Sequence, residues 1–190
     1  MYANFTGSNS YSDDYKDGSG NSVRSKYHRY SASTTIGLSP DDNKKFEFSA
    51  GTSNGYAYYA DRTMDGTKFL RENYGFKSQI KDISYFVESL DFQLARNKIF
   101  HTMSEIPRGG SNYMDVRNDL YSARILSNLN LRTTTKAKIG FDWSESTHSG
   151  NMPTMGMPNF SDDLIYRQTS FFAELTEILQ GGQRIILGLS

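Results

Sequence analysis

Residues 89–103 read "SLDFQLARNKIFHTM". Leu90, Phe92, Leu94 and Phe100 occupy even positions; Asp91, Gln93, Asn97, His101 and Met103 occupy odd ones. Successive side chains on a strand point to opposite faces, so this is a strand with one apolar and one polar face. The run ends in "SEIPRGG", where Pro107, Gly109 and Gly110 mark a break. His101 and Met103 therefore share the polar face at the strand end that meets a loop.

The same alternation recurs along the chain. Tyr30, Ala32, Ile36 and Leu38 share one parity against Arg29, Ser31, Ser33 and Thr35. "KKFEFSAG" (44–51) repeats it with Phe46, Phe48 and Ala50, and "FLRENYGFKSQI" (69–80) with Leu70, Tyr74, Phe76 and Ile80. In "KAKIGFDWSES" (136–146), Ala137, Ile139, Phe141 and Trp143 stand opposite Lys138, Gly140, Asp142 and Ser144. "LIYRQTSFFAELTEIL" (164–179) also fits a helix face; we read it as a strand because Gln180-Gly181-Gly182-Gln183 makes a tight return to "RIILGLS".

Breaks alternate in length. Short ones fall at 39–43, 80–86, 133–135 and 180–183, long ones at 13–22, 60–67, 104–119 and 146–163. Strands running up and down in order put every long loop at one end. With a polar second face of Ser, Asn, Arg, Lys and Gly, this is the layout of an outer-membrane β-barrel with a wet lumen. A soluble β-sandwich or lipocalin-like barrel would need large residues on a buried face. Eight runs and the beginning of a ninth give an all-β fold of antiparallel up-and-down strands, an incomplete transmembrane barrel, since open edges are not tolerated in lipid.

Composition narrows the function. Of 190 residues 36% are hydrophobic and the formal charge is zero, which offers no basic excess for nucleic acid. The absence of Cys excludes disulfides and thiolate metal sites within this chain. No signal peptide and no apolar stretch of membrane-helix length is found, which says little about strands. No nucleophile-elbow, Walker or dinucleotide glycine pattern occurs and the acidic residues are dispersed, so no enzyme is expected. "DDYKDGSGN" (13–21) has the content of a calcium loop, but Arg24 occupies the place of the required Glu. His28 and His148 are read as interfacial or solvated.

His101 and Met103 are about 7 Å apart along the strand, close enough for an imidazole and a thioether to converge on one ion. Thioether suits Cu(I), and imidazole suits copper, zinc and nickel, so the pair favours copper. The loop "SGNMPTMGMPNF" (149–160) presents Met152, Met155 and Met157 at the same end as possible accessory capture sites, or as an adaptable apolar loop. Met64 and Met114 lie in the other long loops of this reading. Tyr56, Tyr58, Tyr59, Trp143 and Phe160 are candidates for an interfacial girdle.

"YSDDYKDGSGNSVRSKYHRYSASTTIGLSPDDNKKFEFSAG" (11–51), "YADRTMDGTKFLRENYGFKSQI" (59–80) and "FHTMSE" (100–105) resemble the barrel of TonB-dependent outer-membrane copper receptors. The resemblance runs from about residue 8 to residue 150. It implies that residues 1–190 are part of such a barrel, with the plug domain, TonB box and final strand outside this sequence. It further implies that His101 and Met103 form half of a copper site, whose other half is a Cys-x-x-x-Met pair from the plug. Copper as transported ligand, outer-membrane lipid and TonB, reached through the plug, are the implied partners, and the outer membrane of a Gram-negative bacterium the implied location. The alternatives are a barrel of the same class serving another ligand, such as a siderophore, and a soluble β-rich binding module.

Overall fold

Nine antiparallel strands form one sheet in the computed structural model, which describes residues 1–151, 164–179 and 181–189. In chain order the elements are β1 (Tyr2–Ser12), β2 (Tyr15–Lys16), β3 (Ser22–Val23), β4 (Tyr27–Asp41), β5 (Lys44–Ala57) and β6 (Asp65–Lys81). They continue with β7 (Val87–Ser104), a 3-10 turn (Ile106–Arg108), β8 (Tyr113–Asn130), β9 (Thr135–Asn151), β10 (Leu164–Ile178) and β11 (Arg184–Leu189). The order across the sheet is β1-β4-β5-β6-β7-β8-β9-β10-β11, with β2 and β3 a separate hairpin inside the first long loop. Neighbours in sequence are neighbours in space throughout, the expected up-and-down topology. The ambiguous segment is strand: β10 pairs with β9 from Leu164 to Glu177.

Register separates the faces. Asn73, Asn97, Leu120 and Ser146 lie in one row on one face, and Gly75, Ala95, Ser122 and Ser144 in the next. The opposite face carries Phe48, Phe76 and Leu94 in one row, and Phe92, Ile125 and Phe141 in another. Neighbouring rings touch along these rows, Phe48 to Phe76 at 4.7 Å and Phe141 to Phe171 at 5.0 Å between centroids. This apolar face is not covered by protein. Phe48 is 51% exposed and Phe171 68%, and Ala57 is the one buried apolar residue among those described.

The strands are longer than the breaks in the sequence suggested. β7 and β8 each have 18 residues, about 60 Å of extended chain, whereas a tilted membrane strand needs about 9–11. Expected loops 104–119 and 146–163 shrink because β8 begins at Tyr113 and β9 runs to Asn151. Beyond Leu94 the outward face changes polarity. Arg96 pairs with Asp119 at 2.6 Å, Lys98 with Glu72 at 3.8 Å and Arg167 with Glu145 at 2.6 Å. Apolar periodicity fades there while strand pairing continues, which explains the misplaced boundaries.

The girdle differs as well. Tyr74, Arg96 and Tyr121 form one row, with Trp143 one step below, at the boundary between the apolar band and the ion pairs. Arg96 lies 5.0 Å over the Tyr121 ring. Of the expected girdle residues Trp143 belongs here, whereas Tyr58 and Tyr59 lie in the loop after β5. Tyr56 joins His28, whose ring lies 6.4 Å from Tyr11, 5.8 Å from Tyr30 and 6.2 Å from Tyr56. Phe160 lies outside the described residues.

Candidate metal site at the outer strand ends

Four short turns lie at one end of the sheet, and the end of β7 lies at the other. There His101 pairs with Phe69 on β6 and Val116 on β8, and Met103 pairs with Gly66 and Met114. Gly66 and Phe69 are three residues apart yet share a face, because a bulge between Gly66 and Lys68 leaves Thr67 with no residue opposite it in the β7 register. Phe69 stacks on His101 with centroids 6.2 Å and planes 25° apart. Its ring also lies over Gly66, where an added Cβ would come within 2.1 Å of it. Glycine thus lets one phenyl ring lie along both His101 and the Met103 position.

Met114 is therefore a strand residue facing Met103, not a loop residue. Directly opposed residues have Cα atoms about 4.5–5.5 Å apart, closer than His101 and Met103 are to each other. One imidazole and two thioethers consequently occupy neighbouring positions on the lumen-type face, beside Phe69 and Val116. Among the described residues no group of three or more His, Asp or Glu could hold a metal; the candidate donors gathered here are one imidazole and two thioethers. Continued parity of Met114, Val116, Asn118 and Leu120 was the available sequence signal, masked by the outward charges Asp115, Arg117 and Asp119. His148 shares the face, paired with Asn118. Met64 lies in the loop before β6. Met152, Met155 and Met157 lie outside the described residues.

A buried carboxylate holds the surrounding loops. Asp65, the first residue of β6, is fully buried beside Ser104, the last residue of β7. Arg24 donates to its Oδ2 (Nε, 3.1 Å), Arg108 to Oδ2 (Nε, 3.2 Å) and Oδ1 (Nη2, 2.8 Å), and the Tyr59 backbone N–H to Oδ1 (3.0 Å). Arg108 also donates to the Tyr59 carbonyl, and Arg24 lies 4.3 Å over the Tyr58 ring. Three loops separated by tens of residues are thus tied at one acid. The loop after β7 is itself closed by Ser104 Oγ, which accepts from the Ile106 N–H at 3.1 Å, and by Gly109 at φ 84°; that left-handed conformation favours glycine.

Burial alone would raise the Asp65 pKa, but the Arg24 and Arg108 hydrogen bonds outweigh it and hold the acid at about 2, below its usual 3.8. A depressed carboxylate contributes stability that is complete above its unfolded pKa and lost as pH falls through the folded one. Amide protection in the loops around Asp65, corrected for intrinsic exchange rates, is expected to persist down to about pH 4 and to decline between about pH 4 and 2. A decline beginning near pH 6 would contradict this assignment. The loop carboxylates of the calcium-like stretch serve their own backbone: Asp17 accepts from Ser19 and Asn21, and Asp14 from Ser25 and Lys26.

No known family model and no curated protein sequence matches the chain. Among solved structures it is similar to the copper transporter OprC, with a TM-score of 0.78 and 28% identity over 98% of this chain. The match covers 32% of that protein, so the chain spans about a third of its length.

Proposed function

We propose that this chain is a wall segment of a TonB-dependent outer-membrane receptor that binds and imports copper. In this reading His101 and Met103 supply half of the metal site and Met114 adds a third soft donor. The observation that carries it is the placement of His101, Met103 and Met114 at neighbouring register positions on one face at the loop-bearing strand ends, and the likeness to a copper transporter supports it. The chain acts as a receptor wall and not as an enzyme. Copper is its cargo, outer-membrane lipid covers its apolar face, and TonB engages a plug outside residues 1–190.

Donor chemistry gives the direct test. X-ray absorption of the copper-loaded full-length protein is expected to show both sulfur and imidazole scatterers. A shell of oxygen alone would sink the reading, because thioether binding is what distinguishes soft copper from harder ions at this site.

The membrane assignment has its own test. Ile125 faces outward within the apolar band and Ser122 faces inward. Ile125→Arg is expected to destabilise the protein in lipid vesicles by about 2–4 kcal/mol, the cost of a midplane cation on a barrel's lipid face. Ser122→Arg is expected to cost much less. Equal denaturation midpoints for the two variants would count against lipid on the apolar face.

A further inference from the structure

We propose that the groove between Arg29 and Arg71 binds a small carboxylate-bearing anion, either alone or as the ligand shell of copper. The groove measures about 540 Å³ and is lined by Arg29, Arg71, His101, Ser31, Ser53 and Asn54, a size within the usual range for small-molecule sites. Arg29 on β4 and Arg71 on β6 flank β5, where their partners in register are Gly55 and Ser53. With one strand between them and a two-residue offset along it, their backbones stand about 12 Å apart, a span that an anion bearing several carboxylates can bridge with the two side chains.

Neither arginine has a counter-ion among the described residues. Five of the eleven arginines do: Arg24 and Arg108 share Asp65, Arg96 has Asp119, Arg124 has Asp142 and Arg167 has Glu145. The Arg29 side chain has only the Tyr27 ring, at 5.8 Å, and the Arg71 side chain has no hydrogen bond, ion pair or ring contact among the described residues. The buried acid near this end, Asp65, already accepts from two guanidiniums. A guanidinium is permanently charged and its fork of donors matches a carboxylate. Two of them beside His101 repel a bare cation and attract an anion. Because His101 lines the same groove, a small anion that can carry or accompany copper fits better than a side-chain carboxylate of another polypeptide.

This inference goes beyond the copper reading and is tested separately from it. Full-length protein in detergent is titrated calorimetrically with citrate, without metal. Citrate is expected to bind, and Arg29→Gln with Arg71→Gln to weaken binding at least tenfold, while Arg29→Lys with Arg71→Lys falls in between. Met103→Ala, outside the groove lining, is expected to leave citrate binding unchanged while weakening copper binding, so the two readings fail independently. Tighter binding of copper(II) citrate than of copper(II), lost in the glutamine pair, identifies the anion as copper's ligand shell; equal binding identifies a free anion. The proposal is overturned if the glutamine pair, melting at the wild-type temperature, binds citrate as well as wild type does. It is also overturned if wild type binds none, a result that assigns the arginines to carboxylates of another polypeptide segment.

Discussion

With His101 and Met103 both replaced by alanine, the full-length protein is expected to lose copper affinity by at least about 100-fold, or about 2.7 kcal/mol. Even groups that only orient a metal ligand cost about 10–100-fold when removed, and this variant deletes two donors outright. Met114→Ala should cost less, about tenfold, because His101 and Met103 remain. The single variants also separate soft from borderline chemistry. Met103→Ala should weaken Cu(I) far more than Zn(II), since imidazole serves both ions but thioether suits Cu(I). Competition titrations for the two metals measure this directly. Unchanged copper affinity in the double variant would leave the three side chains as packing against Phe69 and Val116.

The second large effect falls on the loops. Asp65→Ala removes the one acceptor shared by Arg24 and Arg108 and leaves two permanent charges with carbonyl and ring partners. Breaking a buried ion pair from one side costs about 3–5 kcal/mol. Here about 2 kcal/mol is expected, because the arginine side chains are 32% and 24% exposed and water compensates in part. That corresponds to a roughly 30-fold rise in loop opening. The effect should be local, since the strand ladders below Asp65 are unaffected. Trypsin cleavage after Arg62 and Arg108 is expected to accelerate by about that factor, while Asp61→Ala, at an exposed position in the same loop, changes little. Equal cleavage rates for the two variants would remove Asp65 as the tie.

The Asp65 tie adjoins the candidate donors along β6 and β7, so the two effects should be partly coupled. Gly66 lies between Asp65 and the Phe69 ring and faces Met103 across the ladder. Loosening Asp65 therefore frees the strand end that holds Phe69 against His101.

How far the sequence carried the fold depended on the range of each interaction. Strand alternation is local: the two-residue period of Leu90, Phe92 and Leu94 against Asp91 and Gln93 is set by backbone geometry alone. It sufficed to place His101 and Met103 on one polar face and to divide the chain into up-and-down strands. The same alternation failed at the outer halves of β6, β7, β8 and β9, where charged pairs such as Lys98 and Glu72 replace outward apolar residues. Strand pairing continues there without a hydrophobic signature.

Register between strands is not a local property. Met103 faces Met114 only because of where β8 re-enters after the closed loop, and Gly66, under the Phe69 ring, faces Met103 only because one bulged residue shifts β6 against β7. Asp65 finds Arg24 and Arg108 at sequence separations of 41 and 43 residues. Alternation by itself determined the strand faces and the candidacy of His101 and Met103, because side-chain direction follows from the backbone. Only tertiary pairing decided the second thioether, the ring over the imidazole and the acid beneath the loops, because each depends on which residue arrives opposite or nearby when the strands pair.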